Sequence, residues 1–244
     1  MDEASGVVVF GDVVRSRNDP TGASEWLRAL RDRLDAEYGE MRLAPFGFTQ
    51  GDELQGLLRR DADALRAVLV ASLDPAGRPM RWAIAEGGIE PGSGPATERT
   101  GTAFLAAREA IDGPAARDGL VIVTGVREAD RLLERIAPPL AELLGDLTDR
   151  QRVVAHGILV DGLRQADVAA RLGVSRATIS VTYARGRIRS IERLSAAVRL
   201  VIADARQTGS EGHHDRSLDV RPGWTTPAGI KGLPDDASGR RGPA

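Results

Sequence analysis

The chain has 244 residues, a formal net charge of −2 and no cysteine. The lack of cysteine excludes disulfides, thiol catalysis and cysteine zinc sites. The near-neutral balance excludes a chain that is basic throughout, so any basic surface must be local. No apolar run approaches the roughly 20 residues of a membrane helix. The acidic start of the chain has no signal-peptide pattern, and the sequence therefore predicts a cytoplasmic protein without membrane contact.

The first half of the chain alternates strand and helix patterns. Residues 6–10 (GVVVF) predict a buried strand that runs into a loop at Asp12. Residues 18–22 are rich in turn formers, and Ser24 can cap a helix that ends at Gly39. The apolar face of this helix is predicted to be Trp26, Leu27, Leu30, Leu34 and Tyr38.

The next segments predict a β-hairpin and, after it, a second crossover. Gly51 and Asp52 form the predicted hairpin tip. The remaining predicted elements are strands at 46–50, 53–58, 80–84 and 119–123, helices at 61–73, 102–111 and 127–144, and an irregular loop at 87–95. Pro138 and Pro139 are expected to interrupt the last helix.

This order predicts an α+β fold with a ferredoxin-like sheet, with the helices on one side of it. The predicted domains are an α/β domain at 1–126, a connecting helix at 127–146 and an all-α helix-turn-helix domain at 147–206. Residues 207–244 turn rich in Gly, Pro, Ser, Asp and Arg, which predicts a disordered tail.

Residues 147–194 carry the pattern of a helix-turn-helix. Thr148 and Asp149 start a first helix, Gly162 ends it, and residues 165–172 predict the second. Gly173 stands where the turn needs a positive φ, and Ser175 can cap the third helix. Val174 and Ile179 are expected to close the small core beneath the turn.

Side chains and charge both suit DNA. Residues 148–194 hold nine arginines against four acidic residues, a formal charge of +5, which leaves −7 for the remainder. Arginine can hold guanine or phosphate, and Ser and Thr can bond either. The predicted DNA-binding residues are Gln165, Ser175, Arg176, Thr178, Ser180, Tyr183, Arg185, Arg187 and Arg189.

One alternative stays open for this segment besides DNA binding: it could be a three-helix packing module whose basic face is merely solvated.

An apolar stripe continues after the three helices through Ile188, Ile191, Leu194 or Ser195, Val198 and Ile202. It is too long for a lone three-helix domain to bury, so it either packs on the N-terminal domain or pairs two subunits as a homodimer. In the residues LTDRQRVV and GLRQADVAARLGVSRATIS, this segment resembles sigma-factor region 4 and LuxR-type DNA-binding domains.

Two acidic loops give a second, weaker signal. In the predicted sheet, Asp12 and Asp52 could converge at one edge and hold Mg²⁺ with a nucleotide triphosphate, and Arg15 and Arg17 could meet its phosphates. Both aspartates could equally be turn and cap residues.

Four segments here, GDVVRSR, FTQGDELQGLL, MRWAIAEGGI and GTAFLAAREAI, resemble the SatD family, and in the same order a class III nucleotide cyclase or GGDEF palm. The resemblance implies that Asp12 and Asp52 bind metal and that Arg108 faces phosphate. The chain departs from cyclases at Phe104, where they carry Asn, and it lacks their base-selecting lysine.

The sequence therefore predicts a transcriptional regulator that binds double-stranded DNA, with an N-terminal domain that senses a ligand such as a nucleotide with Mg²⁺. A Mg²⁺-dependent, cyclase-like nucleotide-processing enzyme and a protein-interaction adaptor remain as alternatives.

Overall fold

The computed structural model describes residues 4–14, 20–48 and 53–211. Its strands are β1 (Ser5–Val13), β2 (Arg42–Phe48), β3 (Glu53–Arg59), β4 (Met80–Gly88) and β5 (Leu120–Val123). Its α-helices are α1 (Pro20–Tyr38), α2 (Leu65–Ser72), α3 (Thr102–Asp112), α4 (Arg127–Gly145), α5 (Asp149–Leu159), α6 (Gln165–Leu172), α7 (Arg176–Arg185) and α8 (Ile188–Glu211). Short 3₁₀ helices cover Gly39–Met41, Ala96–Glu98 and Pro114–Asp118. None of these described helices is both long and apolar enough to cross a membrane.

The strands form one sheet in the order β2-β3-β1-β4-β5. Strand β1 pairs antiparallel with both β3 and β4, and only β4 and β5 run parallel. The hairpin of β2 and β3 is confirmed as an antiparallel pair, while its predicted tip at Gly51 and Asp52 lies outside the described residues. The α+β class, with a five-stranded sheet followed by helices, is confirmed.

The expectation that helices cover one side of the sheet is wrong, because both faces are covered. Val7 and Val9 of β1 pack in the cluster that contains α1, α2 and α4. Val8 and Phe10 point to the opposite face and pack with Ala103, Phe104 and Ala107 of α3. Successive strand residues point to opposite faces, so a strand that is apolar at four consecutive positions needs a layer on each side.

Helix α1 has the predicted buried face but a different start. Trp26, Leu27, Leu30, Leu34 and Tyr38 are all buried. The helix begins at Pro20, so the prediction of a loop at residues 20–22 is wrong. Proline is favourable in the first turn of a helix, where its missing N–H has no partner to lose, which accounts for the earlier start.

Two further predictions fail at glycine and proline. Strand β4 continues through Gly87 and Gly88, which pair with Gly6 and Ser5 of β1, so these two residues are not loop. Helix α4 runs without interruption through Pro138 and Pro139. Its apolar side is buried before and after the prolines, at Leu133, Ala137, Leu140 and Leu144, and this packing holds the helix together where two backbone hydrogen bonds cannot form.

Helix α8 packs on the rest of the chain, and the predicted apolar stripe is buried. Ile188, Ile191, Ser195, Val198 and Ile202 are all buried, within the same cluster as α4 or beside it. Of the two options for the stripe, the structure shows packing on the chain itself. Helix α8 continues to Glu211, so the tail prediction is wrong for residues 207–211, and the rest of the predicted tail lies outside the described residues.

Candidate nucleic-acid interface

Helix α5 begins with a reciprocal cap. The Thr148 side chain accepts a hydrogen bond from the Gln151 backbone N–H at 3.4 Å, and the Gln151 side-chain Oε1 accepts one from the Thr148 backbone N–H at 2.9 Å. These two bonds satisfy donors that the first turn of a helix leaves open. They fix the start of α5 immediately after α4, with only Asp146–Thr148 between the two helices.

The turn between α6 and α7 has the predicted chemistry. Gly173 takes φ 64° and ψ 30°, a left-handed conformation that glycine adopts without strain. Ser175 caps α7, and its Oγ accepts a hydrogen bond from the Thr178 N–H at 3.1 Å. Only three residues, 173–175, therefore separate α6 from α7.

The three helices close around a small core. Val168 and Ala169 of α6 and Ile179 of α7 are buried. A Cβ at Gly157 of α5 would lie 3.0 Å from Val168 Cγ2, so α5 and α6 approach as closely as a glycine allows. The buried side of α7 is thus narrow, and most of its surface remains outside.

The outer face of α7 borders a groove of about 540 Å³ that it shares with the start of α5. Ala177, Thr178, Val181 and Arg185 of α7 line one side, and Thr148, Arg150 and Gln151 line the other. Arg176, Ala177, Ser180, Val181 and Arg185 are exposed. The groove is therefore bordered by small and hydroxyl side chains with a cation from each helix.

Seven of the nine arginines in residues 148–194 fall into two groups. Arg164 pairs with Asp167, Arg171 with Asp161 and Arg187 with Asp146, while Arg152 Nε donates to the Leu147 carbonyl. Arg150, Arg176 and Arg185 make no ion pair or hydrogen bond with any residue in the part of the chain that the structure describes. These three guanidinium groups keep their charge and donors for an outside partner.

The other predicted DNA-binding residues are less exposed or already bonded. Gln165, Thr178 and Tyr183 are half-buried, and the Tyr183 hydroxyl donates to Glu192 at 3.1 Å. Burial is the main cause that raises the pKa of Tyr183. Arg187 has a positive φ of 50° at the break between α7 and α8. Arg189 is exposed at the start of α8, and its side chain is hydrogen-bonded to that of Tyr183.

Sequence reasoning missed Arg150. It stands two residues after the Thr148 cap, on the first turn of α5, and reaches the groove from the side opposite α7. The available signal was the cap itself, because the N–H groups of a first turn favour an anion and a cation on the same turn can add its charge to that site.

The second predicted site is held by two arginine–carboxylate pairs. Asp12 lies opposite Glu53 of β3 and Arg81 of β4 in the sheet register. Arg81 binds the Asp12 carboxylate, and Arg108 of α3 binds both oxygens of Glu53 at 2.6 and 2.9 Å. Burial of Asp12 is substantial, with 14% of its side chain exposed.

Of the two predicted metal ligands, the structure describes Asp12, whose carboxylate is bonded to Arg81. Mg²⁺ is usually bound by one or two carboxylates together with waters and phosphate oxygens, and the neighbouring Glu53 is also bonded to an arginine. Within residues 4–14, 20–48 and 53–211, no group of three His, Asp or Glu side chains could hold a metal. Asp52, Arg15 and Arg17 lie outside the described residues. Arg108 faces Glu53 and stacks over the Phe10 ring at 4.9 Å.

The helices α5, α6 and α7 define a small helical unit with a basic outer face. The segment 139–199, from the second half of α4 into α8, matches a family model described as KORA, TrfB plasmid transcriptional repressor. The match leaves the whole sheet outside it. No curated protein shows significant similarity to the chain. The resemblances to the SatD family, to cyclase palms and to sigma-factor region 4 stay predictions.

Proposed function

We propose that this protein is a DNA-binding transcriptional regulator, in which α6 and α7 form a helix-turn-helix and α7 enters the major groove. The observation that carries the proposal is the trio Arg150, Arg176 and Arg185, three unpaired cations around the outer face of α7. The similarity of residues 139–199 to a transcriptional repressor model supports the same class of function.

The spacing along α7 suits a duplex. Arg176 and Arg185 stand at the two ends of the helix, about 14 Å apart along its axis at 1.5 Å per residue. That rise covers roughly four base pairs, the footprint of one recognition helix. Nine residues make about two and a half turns, so the two arginines lie on opposite flanks of the exposed face of α7. Between them, Ala177, Ser180 and Val181 are small enough for bases to approach and can contact thymine methyl groups or base edges.

Arg150 completes the interface from the neighbouring helix. It belongs to the first turn of α5, where backbone N–H groups and the helix dipole favour an anion. We assign it to a backbone phosphate on one side of the groove, with α7 on the bases. Phosphate contacts position a protein on DNA, while base contacts specify the sequence.

The sheet is proposed to be ferredoxin-like, since β2-β3-β1-β4 has the order that a β-α-β-β-α-β chain gives in that fold. The remainder of the chain outside residues 148–194 has a formal charge of −7. An acidic body is repelled by phosphate and so orients the basic helices toward the duplex.

The proposal is tested by selection from a pool of random duplexes of about 30 base pairs, roughly three helical turns. The full chain is expected to enrich a defined sequence and to shift it in a gel. Arg176→Ala and Arg185→Ala are each expected to weaken binding by about 1–3 kcal/mol if they hold a base, or uniformly across sequences if they hold phosphate.

Arg131→Ala is the matched control, because Arg131 is an exposed arginine on α4 with no bond to a described residue. It should leave DNA binding unchanged. Failure of the full chain to enrich or shift any duplex would refute the proposal, as would equal binding by the Arg176→Ala, Arg185→Ala and Arg131→Ala variants.

A further inference from the structure

A cleft of about 530 Å³ separates the second half of α4 from the end of the sheet. We call it the α4 cleft. Its lining residues include Ser72, Trp82, Arg117, Pro138, Glu142 and Arg152. It lies away from the groove beside α7, with which it shares no lining residue. Its volume lies within the range of about 300–1,000 Å³ that is usual for small-molecule sites.

The floor of the α4 cleft contains a buried donor without an acceptor. Trp82 is 2% exposed, and its Nε1–H has no hydrogen-bond partner among the described residues. By contrast, Trp26 Nε1 donates to Asp74 at 3.4 Å. Buried indole N–H groups normally find a partner, because an unmet donor costs free energy.

The orientation of the Trp82 ring follows from its contact with β1. Gly11 of β1 pairs with Trp82, and a Cβ there would lie 2.7 Å from Cζ3 of the indole. The Cε3–Cζ3 edge therefore faces β1. The opposite edge, which carries Nε1, is therefore on the side of β5, and both Trp82 and Gly119 line the cleft.

The walls supply cations and apolar surface together. Arg78, Arg117 and Arg152 line the cleft with Asp118 and Glu142, a formal balance of +1. Arg117 is exposed and makes no ion pair or hydrogen bond with a residue that the structure describes. Val68, Met80, Pro138 and Leu144 provide apolar contact.

We propose that the α4 cleft binds a small organic monoanion with an apolar body. Its anionic group is held by Arg117 and Arg152, and an acceptor on the molecule takes the hydrogen bond that Trp82 Nε1 offers. Arginine is suited to this because its planar fork binds carboxylate or sulfonate oxygens in pairs.

The site also touches the proposed DNA-binding unit. Arg152 belongs to α5, and its Nε donates to the Leu147 carbonyl at 3.2 Å, at the junction between α4 and α5. An anion that draws Arg152 toward the cleft competes with this bond and shifts the start of α5. This coupling rests on the proposed function, whereas occupation of the cleft does not.

The test uses the full chain and 8-anilinonaphthalene-1-sulfonate, an aromatic monoanion whose emission rises in an apolar site. We expect one saturable site. N-phenyl-1-naphthylamine, which has a similar body without the sulfonate, should bind at least about tenfold more weakly, since a hydrogen bond to a charged group contributes roughly 1.5–3 kcal/mol.

Variants locate the site. Arg117→Ala should weaken the sulfonate by about three- to fivefold, as expected for an exposed charge pair, and Arg152→Met by about tenfold. Arg131→Ala, on the same helix layer but outside the cleft, should bind like the unaltered chain. Circular dichroism melts establish whether each variant is folded. If Arg152→Met does not fold, Arg117→Ala still tests the site.

Non-saturable binding, equal affinity for the neutral compound, or identical affinities in Arg117→Ala and Arg131→Ala would each overturn the proposal. These readouts need no DNA, so they separate its failure from that of the proposed function. Where the chain binds DNA, saturating sulfonate should change that affinity at least about twofold, and an unchanged affinity would overturn the coupling alone.

Discussion

Replacement of Arg206 by methionine is expected to loosen α8 from the sheet. Arg206 Nη2 lies 2.7 Å from a Glu86 carboxylate oxygen, and Nη2 also donates to the Ala62 carbonyl at 3.3 Å. Only 6% of the Glu86 side chain is exposed. Methionine preserves much of the packing volume but removes the charge, so Arg206→Met leaves a buried carboxylate beside the more distant Arg60, at 3.7 Å.

The loss should be about 2–3 kcal/mol of unfolding free energy. Breaking a fully buried ion pair costs roughly 3–5 kcal/mol because the remaining charge is left without compensation. The Arg206 side chain is 22% exposed and Arg60 still attracts the Glu86 carboxylate, so the cost for this pair should lie at or below the lower end of that range. Glu86→Gln in the same background should recover most of the loss, because a neutral amide tolerates burial better than a lone carboxylate.

The pKa of Glu86 determines how the cost of Arg206→Met changes with pH. Burial raises the pKa of Glu86, while Arg206 and Arg60 pull it down. A folded-state pKa above the unfolded value means that this contribution to stability is fully present below the unfolded pKa and is lost as pH rises through the folded pKa. Removing Arg206 raises the folded pKa further, so Arg206→Met should be nearly as stable as the unaltered chain at low pH and lose most at neutral pH.

Urea unfolding at about pH 5 and about pH 7.5 measures both effects. The account requires a larger cost at the higher pH and its recovery by Glu86→Gln. An equal cost at both values, or an equal cost with glutamate or glutamine at position 86, would refute the reasoning and leave lost packing as the cause.

Three further outcomes are expected. Burial lowers the pKa of His156, helped by Arg33 and opposed by Asp161. The contribution of His156 to stability is therefore present above its unfolded pKa and is lost as pH falls through its folded pKa. His156→Gln should flatten the fall in melting temperature below about pH 6.5, and an unchanged melting profile would count against this argument. Gly173→Ala should cost about 1–2 kcal/mol at φ 64°, whereas Gly145→Ala, with ordinary φ and open space, should gain up to about 1 kcal/mol; equal effects in urea titrations would contradict the conformational argument. Ser175→Ala should lose about 1 kcal/mol with the α7 cap, while exposed Ser180→Ala on the same helix should stay within about 0.5 kcal/mol, as thermal melts would show.

Local patterns predicted most of the helices. The face of α1 follows from apolar residues at helical spacing, and all five named positions are buried. The start of α7 follows from Gly173 and Ser175, whose roles depend on their own backbone and the next turn. Such features can be predicted from the sequence because their causes lie within a few residues along the chain.

Features that depend on residues far apart in the sequence could not be predicted from it. The run Val7–Phe10 shows that β1 is buried, but not that α3 supplies the second layer. The continuity of α4 depends on packing at Leu133 and Leu140, which outweighs two prolines. The partners of Asp12 and Glu53 come from β4 and α3, and no local signal distinguishes carboxylates held by arginine from carboxylates free for metal.

The salt dependence of DNA binding tests the central claim most directly. Fluorescence anisotropy of a labelled duplex, measured over a series of salt concentrations, reports how many phosphates the protein neutralises. The affinity of the full chain should fall steeply with salt. The Arg150→Ala variant should lower the slope of log K against log salt by about 1, and Arg131→Ala should leave it unchanged. Absence of binding, or the same slope in all three proteins, would contradict the account.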